Sequence, residues 1–216
     1  MIITVGGIKG GSGKTTVATN LAVMRAGAGH DVLLIDADDQ ETATDFTVLR
    51  GERRGEGAGY TGIKLTGAAV RTETLKLKSK YHDIVIDTGG RDTTSQRAAL
   101  AVSDVLLVPF VPRSFDIWTL EKVAELVEEM KTANPSLRAY TFINRADSRG
   151  SDNEDAAQVL RDSTALALLP ATLGQRKAFG NAAAEGLAVA ELRPPDAKAV
   201  EEMAALYEVI FDTSEV

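Results

Sequence analysis

The chain has 216 residues, of which 44% are hydrophobic and 25% are charged, and it carries a formal net charge of -7 with no cysteine. A chain of this length buries roughly 70% of the surface that its unfolded form exposes, so its core needs no disulfide or structural metal. The absence of cysteine excludes a thiolate metal site, an iron–sulfur cluster and a disulfide framework, and it fits the reducing cytoplasm.

Short runs of β-branched and aliphatic residues alternate with longer amphipathic segments. The runs predict strands at residues 2–5, 32–35, 84–86, 105–109, 139–143 and 166–169. The amphipathic segments predict helices at residues 14–28, 93–102, 114–131, 152–161, 176–185 and 196–211. Continuously apolar strands are typical of a sheet covered on both faces. The alternation predicts an α/β fold, a doubly wound and mostly parallel sheet with helices on both faces, formed by residues 1–216 as a single domain.

Residues 50–80 depart from this pattern, because they are rich in glycine at their start and basic throughout. Their charged residues are Arg50, Arg53, Arg54, Lys64, Arg71, Lys76, Lys78 and Lys80 against Glu52, Glu56 and Glu73. The segment is either a solvated loop and helix face or a local basic patch on an otherwise acidic protein.

No segment of the chain directs it to a membrane. The first residues, MIITVGGIKG, lack the basic and apolar regions of a secretory signal. The longest apolar runs, such as residues 105–111, have the length of a strand, whereas a membrane-spanning helix needs roughly 20 residues. We therefore expect a cytoplasmic protein without a membrane partner.

The segment after the first predicted strand has the features of a phosphate-binding loop, since it reads KGGSGKTT and directly precedes a predicted helix. Its residues are Lys9, Gly10, Gly11, Ser12, Gly13, Lys14, Thr15 and Thr16. Glycines let the backbone turn tightly with its N–H groups inward, and the helix N-terminus adds a positive dipole end, so the loop can bind a triphosphate. In such a loop Lys14 reaches the β- and γ-phosphates, and the Thr15 hydroxyl holds Mg²⁺.

The loop differs from the strict G-x-x-x-x-G-K-[ST] pattern, because Ile8 replaces the first glycine and Lys9 adds a second lysine. In this it resembles the deviant Walker A motif of the ParA/MinD family of ATPases, whose signature lysine falls on Lys9. Residues 32–40, VLLIDADDQ, are similar to the family's strand ending in Asp-x-Asp-Pro-Gln, with Asp39 in place of proline. Residues 81–90, YHDIVIDTGG, are similar to its Walker B strand. The resemblance extends over essentially the whole chain and best suits the short plasmid-partition ParA subgroup.

The resemblance implies ATP and Mg²⁺ as cofactors. Asp38 would position or activate the attacking water, Asp36 would support the Mg²⁺ shell, and Asp87 would hold Mg²⁺ through water. A single aspartate at the end of a strand is commonly a turn former or a helix cap. Three of them aligned with a phosphate loop favour a site at the carboxyl ends of the strands.

Residues 87–91 would be a second switch, whose glycines change conformation as the γ-phosphate comes and goes. Asn144 and Arg145 end the fifth predicted strand where family members contact the base, although a turn at the end of a strand is an equally good interpretation. Lys9 would reach the nucleotide of a partner subunit, which predicts an ATP-sandwich homodimer. The expected catalytic residues are thus Lys9, Lys14 and Asp38.

Arg176 and Lys177 open a predicted helix in the stretch that resembles the family's DNA-facing surface. Residues 50–80 are a competing basic surface, and a solvated helix face is a third interpretation. Dimerisation would double either surface, which suits binding to the DNA backbone without sequence preference.

The resemblance implies a nucleoid-associated partition ATPase that binds DNA non-specifically as an ATP dimer. A ParB-like or other adaptor would stimulate its hydrolysis to segregate plasmid or chromosomal DNA. An alternative is a ParA-like ATPase that positions a protein cargo, a carboxysome or a chemoreceptor cluster, on the nucleoid. A metabolic ligase of the same fold is a rival of another class, but those enzymes lack the signature-lysine loop. The acidic polar face of the C-terminal helix argues against a MinD-like membrane protein.

Overall fold

The structure, a computed structural model, describes residues 1–112 and 117–211, and of Ile117 only the backbone. Its strands are β1 Ile2–Val5, β2 Val32–Ala37, β3 Thr61–Lys64, β4 Asp83–Thr88, β5 Val105–Phe110, β6 Arg138–Ala146 and β7 Ala167–Gly174. Within the same residues its α-helices are α1 Lys14–Gly27, α2 Thr42–Arg54, α3 Ala69–Leu77, α4 Thr94–Leu100, α5 Ile117–Ala133, α6 Asp152–Arg161, α7 Lys177–Ala184 and α8 Ala197–Phe211.

The seven strands form one parallel sheet in the order β3-β2-β4-β1-β5-β6-β7, which confirms the predicted fold class. The chain moves from β1 to β2 on one side and from β4 to β5 on the other, so the topology reverses around β1. Parallel strands end at the same edge of a sheet, and a reversal of this kind opens a crevice there. Asp87 pairs in register with Val5 of β1 and with Asp36 of β2, directly below that crevice.

Helices cover both faces of the sheet. Successive residues of β5 show the division, because Leu106 packs in the cluster with α5 and α6, whereas Leu107 packs with α1 and α8. Both side chains are almost fully buried. This two-sided burial explains why the strands are continuously apolar rather than alternating.

Three elements lie where the strand and helix patterns predict none: α2, β3 and α3. The strand β3 lies at the edge of the sheet and pairs only with β2, and three of its four residues are exposed. An edge strand of this kind needs no apolar run, so the sequence carries no signal for it. The predicted helix at residues 114–131 begins outside the described residues, and its described part starts at Ile117.

Candidate active site

The glycine-rich loop between β1 and α1 has the geometry of an anion site. Gly11 and Gly13 both adopt left-handed backbone conformations, with φ of 74° and 91°. Gly13 is the N-cap of α1 and no side chain caps that terminus, so the first N–H groups of the helix remain available to an anion. A Cβ at Gly13 would lie 2.5 Å from Nδ2 of Asn144, which leaves room only for glycine.

Asn144 braces this loop from β6. Its buried side-chain amide donates a hydrogen bond to the carbonyl of Ser12 at 2.6 Å, and its Oδ1 accepts one from the backbone N–H of Arg145 at 3.0 Å. Arg145 has a φ of 54°, which is uncommon outside glycine and is often found at functional sites. The predicted contact of these two residues with a base stays a prediction.

Lys14 is the first residue of α1, and only 6% of it is exposed. Its ammonium donates a hydrogen bond to the carbonyl of Lys9 at 2.9 Å. Burial lowers the pKa of Lys14, and the charges of Asp87 and Asp38 oppose that shift. Because this ammonium is largely shielded from water, its attraction to a phosphate group is stronger than that of an exposed lysine.

Asp36 organises the backbone beside the loop. Its Oδ2 accepts hydrogen bonds from the backbone N–H and the hydroxyl of Thr44, both at 2.8 Å, and its Oδ1 accepts one from the N–H of Asp38 at 3.1 Å. These bonds hold Asp38 and the start of α2 in place. The predicted role of Asp36 in a Mg²⁺ shell stays a prediction, and Thr44 is a functional candidate that the sequence did not indicate.

Asp87 is fully buried, and neither carboxylate oxygen has a hydrogen-bond partner among the described residues. Burial raises the pKa of Asp87 to about 7; Asp36 and Asp38 add to that shift, whereas Thr15 and Lys14 oppose it. The Thr15 hydroxyl therefore lies near the Asp87 carboxylate, although the two groups do not form a regular hydrogen bond.

A buried carboxylate without a partner beside a threonine hydroxyl suits a hard cation such as Mg²⁺. The described residues contain no cluster of three or more His, Cys, Asp or Glu side chains that could hold a metal on their own. A Mg²⁺ ion here would share its ligands with water and phosphate, which is its usual arrangement in nucleotide sites.

The segment after β4 packs directly on the phosphate loop. A Cβ at Gly90 would lie 2.6 Å from the backbone nitrogen of Gly10, and a Cβ at Gly89 would lie 2.9 Å from Oδ1 of Asp38. Gly90 therefore has no room for a side chain unless the loop backbone shifts, and a side chain at Gly89 would displace the Asp38 carboxylate. A movement of the phosphate loop would thus be transmitted to residues 89–90. This contact supports the predicted second switch.

A cleft of about 660 Å³ opens above these residues. It is lined by Gly10, Gly11, Gly13, Lys14, Thr15, Thr16, Asp38, Asp39, Gln40, Thr42, Gly89, Gly90, Arg91, Thr93 and Arg145. Its volume is in the range of small-molecule and cofactor sites. Lys9 is half-buried and does not line this cleft, but it lines a small apolar cavity together with Val108 and Phe110 of β5.

A second cleft, of about 440 Å³, adjoins the first and shares Gly13, Thr16 and Arg145 with it. It continues past Asn144 to Phe179 on α7. The first cleft, around the glycine loop, is mainly polar, and the second cleft beside it is more apolar.

Arg176 does not present a free charge. Its guanidinium forms a bidentate ion pair with Glu202 of α8, with Nε at 2.8 Å from Oε2, and this contact raises the pKa of Arg176. Lys177 is exposed and makes no ion pair within the described residues. The predicted DNA contact at this position thus depends mainly on Lys177.

Residues 50–80 are less basic on the surface than the sequence indicates. Arg50 is buried and pairs with Glu191 at 2.6 Å, and Arg53 pairs with Glu185 at 2.7 Å. Lys64 pairs with Glu41, and Lys76 pairs with Glu73 at 2.8 Å. The remaining basic residues of the segment, without an ion pair among the described residues, are Arg54, Arg71, Lys78 and Lys80.

A parallel sheet whose first strand leads through a glycine-rich loop into a helix, with carboxylates at the ends of the adjacent strands, defines a phosphate-loop nucleotide-binding protein. The profile of the CobQ/CobB/MinD/ParA nucleotide binding domain matches residues 3–189. The chain belongs to this family, among the ParA/MinD proteins.

Two relatives match over most of their length. Maintenance of carboxysome distribution protein A of Halothiobacillus neapolitanus is 28% identical over 203 residues, covering 93% of this chain and 92% of the relative. The protein of the same name from Gloeobacter kilaueensis is 31% identical over 196 residues, covering 89% and 85%. A crystal structure described as a plasmid partition protein of Borrelia burgdorferi B31 bound to AMPPNP superposes with a TM-score of 0.75 at 20% identity, covering 98% of each chain.

The described part of the chain includes no helix that is both long and apolar enough to cross a membrane.

Proposed function

We propose that this protein is an ATP-dependent partition ATPase. The observation that carries the proposal is the buried carboxylate of Asp87, which has no hydrogen-bond partner in the described part of the chain and lies next to Lys14 and Thr15, under a cleft built by a ParA/MinD-type phosphate loop. These groups supply what a nucleoside triphosphate with its cation needs: a fixed ammonium, open helix N–H groups and two oxygen ligands.

In this proposal Lys14 leaves the carbonyl of Lys9 and neutralises the β- and γ-phosphates. Thr15 would hold Mg²⁺ directly and Asp87 would hold it through water, with Asp36 supporting the shell, and the ion when bound would neutralise charge on the same phosphates. Asp38, whose backbone Asp36 holds in place, positions the attacking water. Because phosphoryl transfer depends mainly on positioning and charge, these residues account for hydrolysis without a covalent intermediate.

The active form is a homodimer with ATP between two subunits, and Lys9 of each subunit reaches the nucleotide of the other. The position of Lys9 supports this part of the proposal, since it is half-buried at the loop but does not line the cleft of its own chain. Hydrolysis then loosens the segment at Gly89 and Gly90 and separates the dimer.

The dimer binds DNA without sequence preference, and an adaptor protein of the ParB type stimulates hydrolysis at the nucleoid. The DNA-binding surface must be a small basic patch, because the chain as a whole has a formal charge of -7 and would be repelled by DNA. Half of the basic residues at 50–80 are also neutralised by ion pairs. The candidate surface consists of Lys177 and the basic residues at 50–80 that form no ion pair within residues 1–112 and 117–211. Two copies of this surface in a dimer suit contacts to the phosphate backbone.

The proposed cargo is a plasmid. A protein cargo positioned on the nucleoid, such as a carboxysome, is the second candidate. It is favoured by the two relatives named for maintenance of carboxysome distribution, which this chain matches over 92% and 85% of their length. The ATPase would be common to both, so the adaptor decides between them.

The molar mass in solution, measured by light scattering, tests this proposal. We expect the mass to double with ATP and Mg²⁺ but not with ADP, and ATP turnover to proceed without any added metabolite. A protein that keeps one mass in all nucleotides and hydrolyses ATP only with a carboxylic acid substrate would instead be a metabolic ligase.

A further inference from the structure

Arg91 lines the proposed nucleotide cleft without a polar partner among the described residues. It follows Gly90 in the segment after β4 and lines the same cleft as Lys14 and Asp38. Its side chain is exposed and makes no ion pair or hydrogen bond with any described residue. Its acidic neighbour Asp92 is not available to it, because Arg97 binds both oxygens of Asp92 at 2.8 and 2.7 Å.

The backbone that carries Arg91 is anchored on both sides. On one side, the approach of Gly90 to the backbone of Gly10 fixes it against the phosphate loop. On the other side, Arg97 also binds Glu129 of α5 at 2.7 Å, so Asp92 is tied to α5 through Arg97. The free guanidinium therefore extends from a fixed point, which lowers the entropy cost of placing it on a ligand.

A third contact connects the two ends of this segment. Gln96 of α4 is fully buried, and its Oε1 lies 3.2 Å from the Thr88 hydroxyl and 3.4 Å from the N–H of Gly7, which donates to it. Through Thr88 and Gln96, the segment is thus joined to Gly7, which leads into the phosphate loop. This contact adds to the one between Gly90 and Gly10. Gln96 belongs to no recognisable motif, so sequence reasoning missed this contact.

The shape of the site indicates which part of a nucleotide Arg91 meets. Gly13, Thr16 and Arg145 are shared with the second cleft, and Arg145 is predicted to contact the base, so we place the nucleoside at that end of the first cleft. Gly10, Asp38, Gly90 and Arg91 lie in the first cleft only. A triphosphate laid along the loop from Thr16 to Gly10 therefore ends beside Asp38 and Arg91.

Resting on the proposed ATPase function, we propose that Arg91 is a catalytic residue that contacts the terminal phosphoryl group of the nucleotide in its own subunit. In the reaction the water oxygen bonds to the γ-phosphorus, and the bond from that phosphorus to the bridging oxygen breaks with its electron pair left on ADP. The water proton passes to Asp38. Arg91 donates to the equatorial oxygens, where charge is redistributed in the transition state.

The test compares Arg91→Gln with Arg91→Lys and with the control Arg138→Gln. Arg138 is exposed at the start of β6, at the opposite edge of the sheet from the cleft. The measurements are the single-turnover rate of ATP hydrolysis, the Kd for AMPPNP, and capture of ADP with aluminium fluoride, which mimics the transferred phosphoryl group.

We expect Arg91→Gln to slow single-turnover hydrolysis about 100-fold and to lose the aluminium fluoride complex, with a change of less than about threefold in the Kd for AMPPNP. Arg91→Lys, which keeps the charge but not the planar fork, should fall between wild type and Arg91→Gln. Arg138→Gln should behave as wild type.

Hydrolysis by Arg91→Gln within twofold of wild type would overturn the inference, as would a loss of AMPPNP affinity that equals the loss of rate. If Arg91→Gln fails to fold, Arg91→Lys decides, and a wild-type rate with a normal aluminium fluoride complex would then overturn it. A wild-type protein that neither binds nor hydrolyses ATP would contradict the proposed function itself, which is a different result from an active wild type with an unaffected variant.

Discussion

Asp36 and Asp87 pair directly across β2 and β4, but their carboxylates have opposite surroundings. Asp36 accepts three hydrogen bonds from Thr44 and Asp38, whereas Asp87 accepts none among the described residues. One carboxylate therefore holds the loop that carries Asp38, and the other is left for a ligand.

Replacing Asp87 should change the pH dependence of stability. The pKa of Asp87 is raised from 3.8 to about 7, so the native state binds its proton more tightly than the unfolded chain. Stability is therefore lost as the pH rises through this interval, by on the order of 4 kcal/mol. In EDTA without nucleotide, Asp87→Asn should exceed the wild type in free energy of unfolding at pH 8, with a smaller difference at pH 5.

Urea unfolding of both proteins at the two pH values measures this effect. An equal difference at pH 5 and pH 8 would show that the carboxylate of Asp87 does not titrate in this interval. Adding ATP with Mg²⁺ should reverse the order at pH 8, because only the wild-type carboxylate gains a cation.

Lys14→Ala should lose measurable ATP binding, because the ammonium is the main fixed cation at the phosphate end of α1. Calorimetric titration with ATP and Mg²⁺ measures the affinity, and Lys198→Ala, an exposed change on α8, is the matched control. Retained affinity in Lys14→Ala would rule out the phosphate-loop assignment.

Asp38→Ala should bind ATP but trap the dimer, since water is no longer positioned for attack. We expect turnover to fall about 100-fold, with a mass that stays doubled for hours after ATP is added. Asp45→Ala on α2 serves as control, because Asp45 is exposed and outside the cleft. Normal turnover in Asp38→Ala would refute the role of this carboxylate.

Lys9→Ala should bind ATP with nearly wild-type affinity yet remain monomeric. The reason is that Lys9 does not line the cleft of its own chain. Size-exclusion chromatography with ATP and Mg²⁺ gives the answer directly, and an ATP-dependent dimer of Lys9→Ala would contradict the predicted contact between subunits.

Gly90→Ala should uncouple the second switch from the phosphate loop, because the added Cβ would lie 2.6 Å from the nitrogen of Gly10. We expect turnover to fall more than about tenfold as the segment shifts. Gly27→Ala is the control: nothing lies within 4 Å of its Cβ, and the change in α1 should raise stability by up to about 1 kcal/mol. Equal turnover in both variants would remove the proposed coupling.

The sequence predicted the central strands and the phosphate loop because their signals are local. An apolar run such as residues 105–109 and a glycine loop before a helix can each be recognised without knowing the rest of the fold. The strand β3 gave no such signal, since its place depends on pairing with β2 rather than on its own residues. The same holds for Arg50 and Arg176, which are basic in sequence but neutralised by Glu191 and Glu202 from distant parts of the chain.

Binding to random-sequence duplex DNA with ATP, with ADP and without nucleotide, across a salt series, tests the proposed partition function most directly. We predict binding only with ATP and Mg²⁺, with an affinity that falls steeply as salt rises. An ATP-dependent dimer that binds no DNA in any nucleotide state would contradict the proposed partition function.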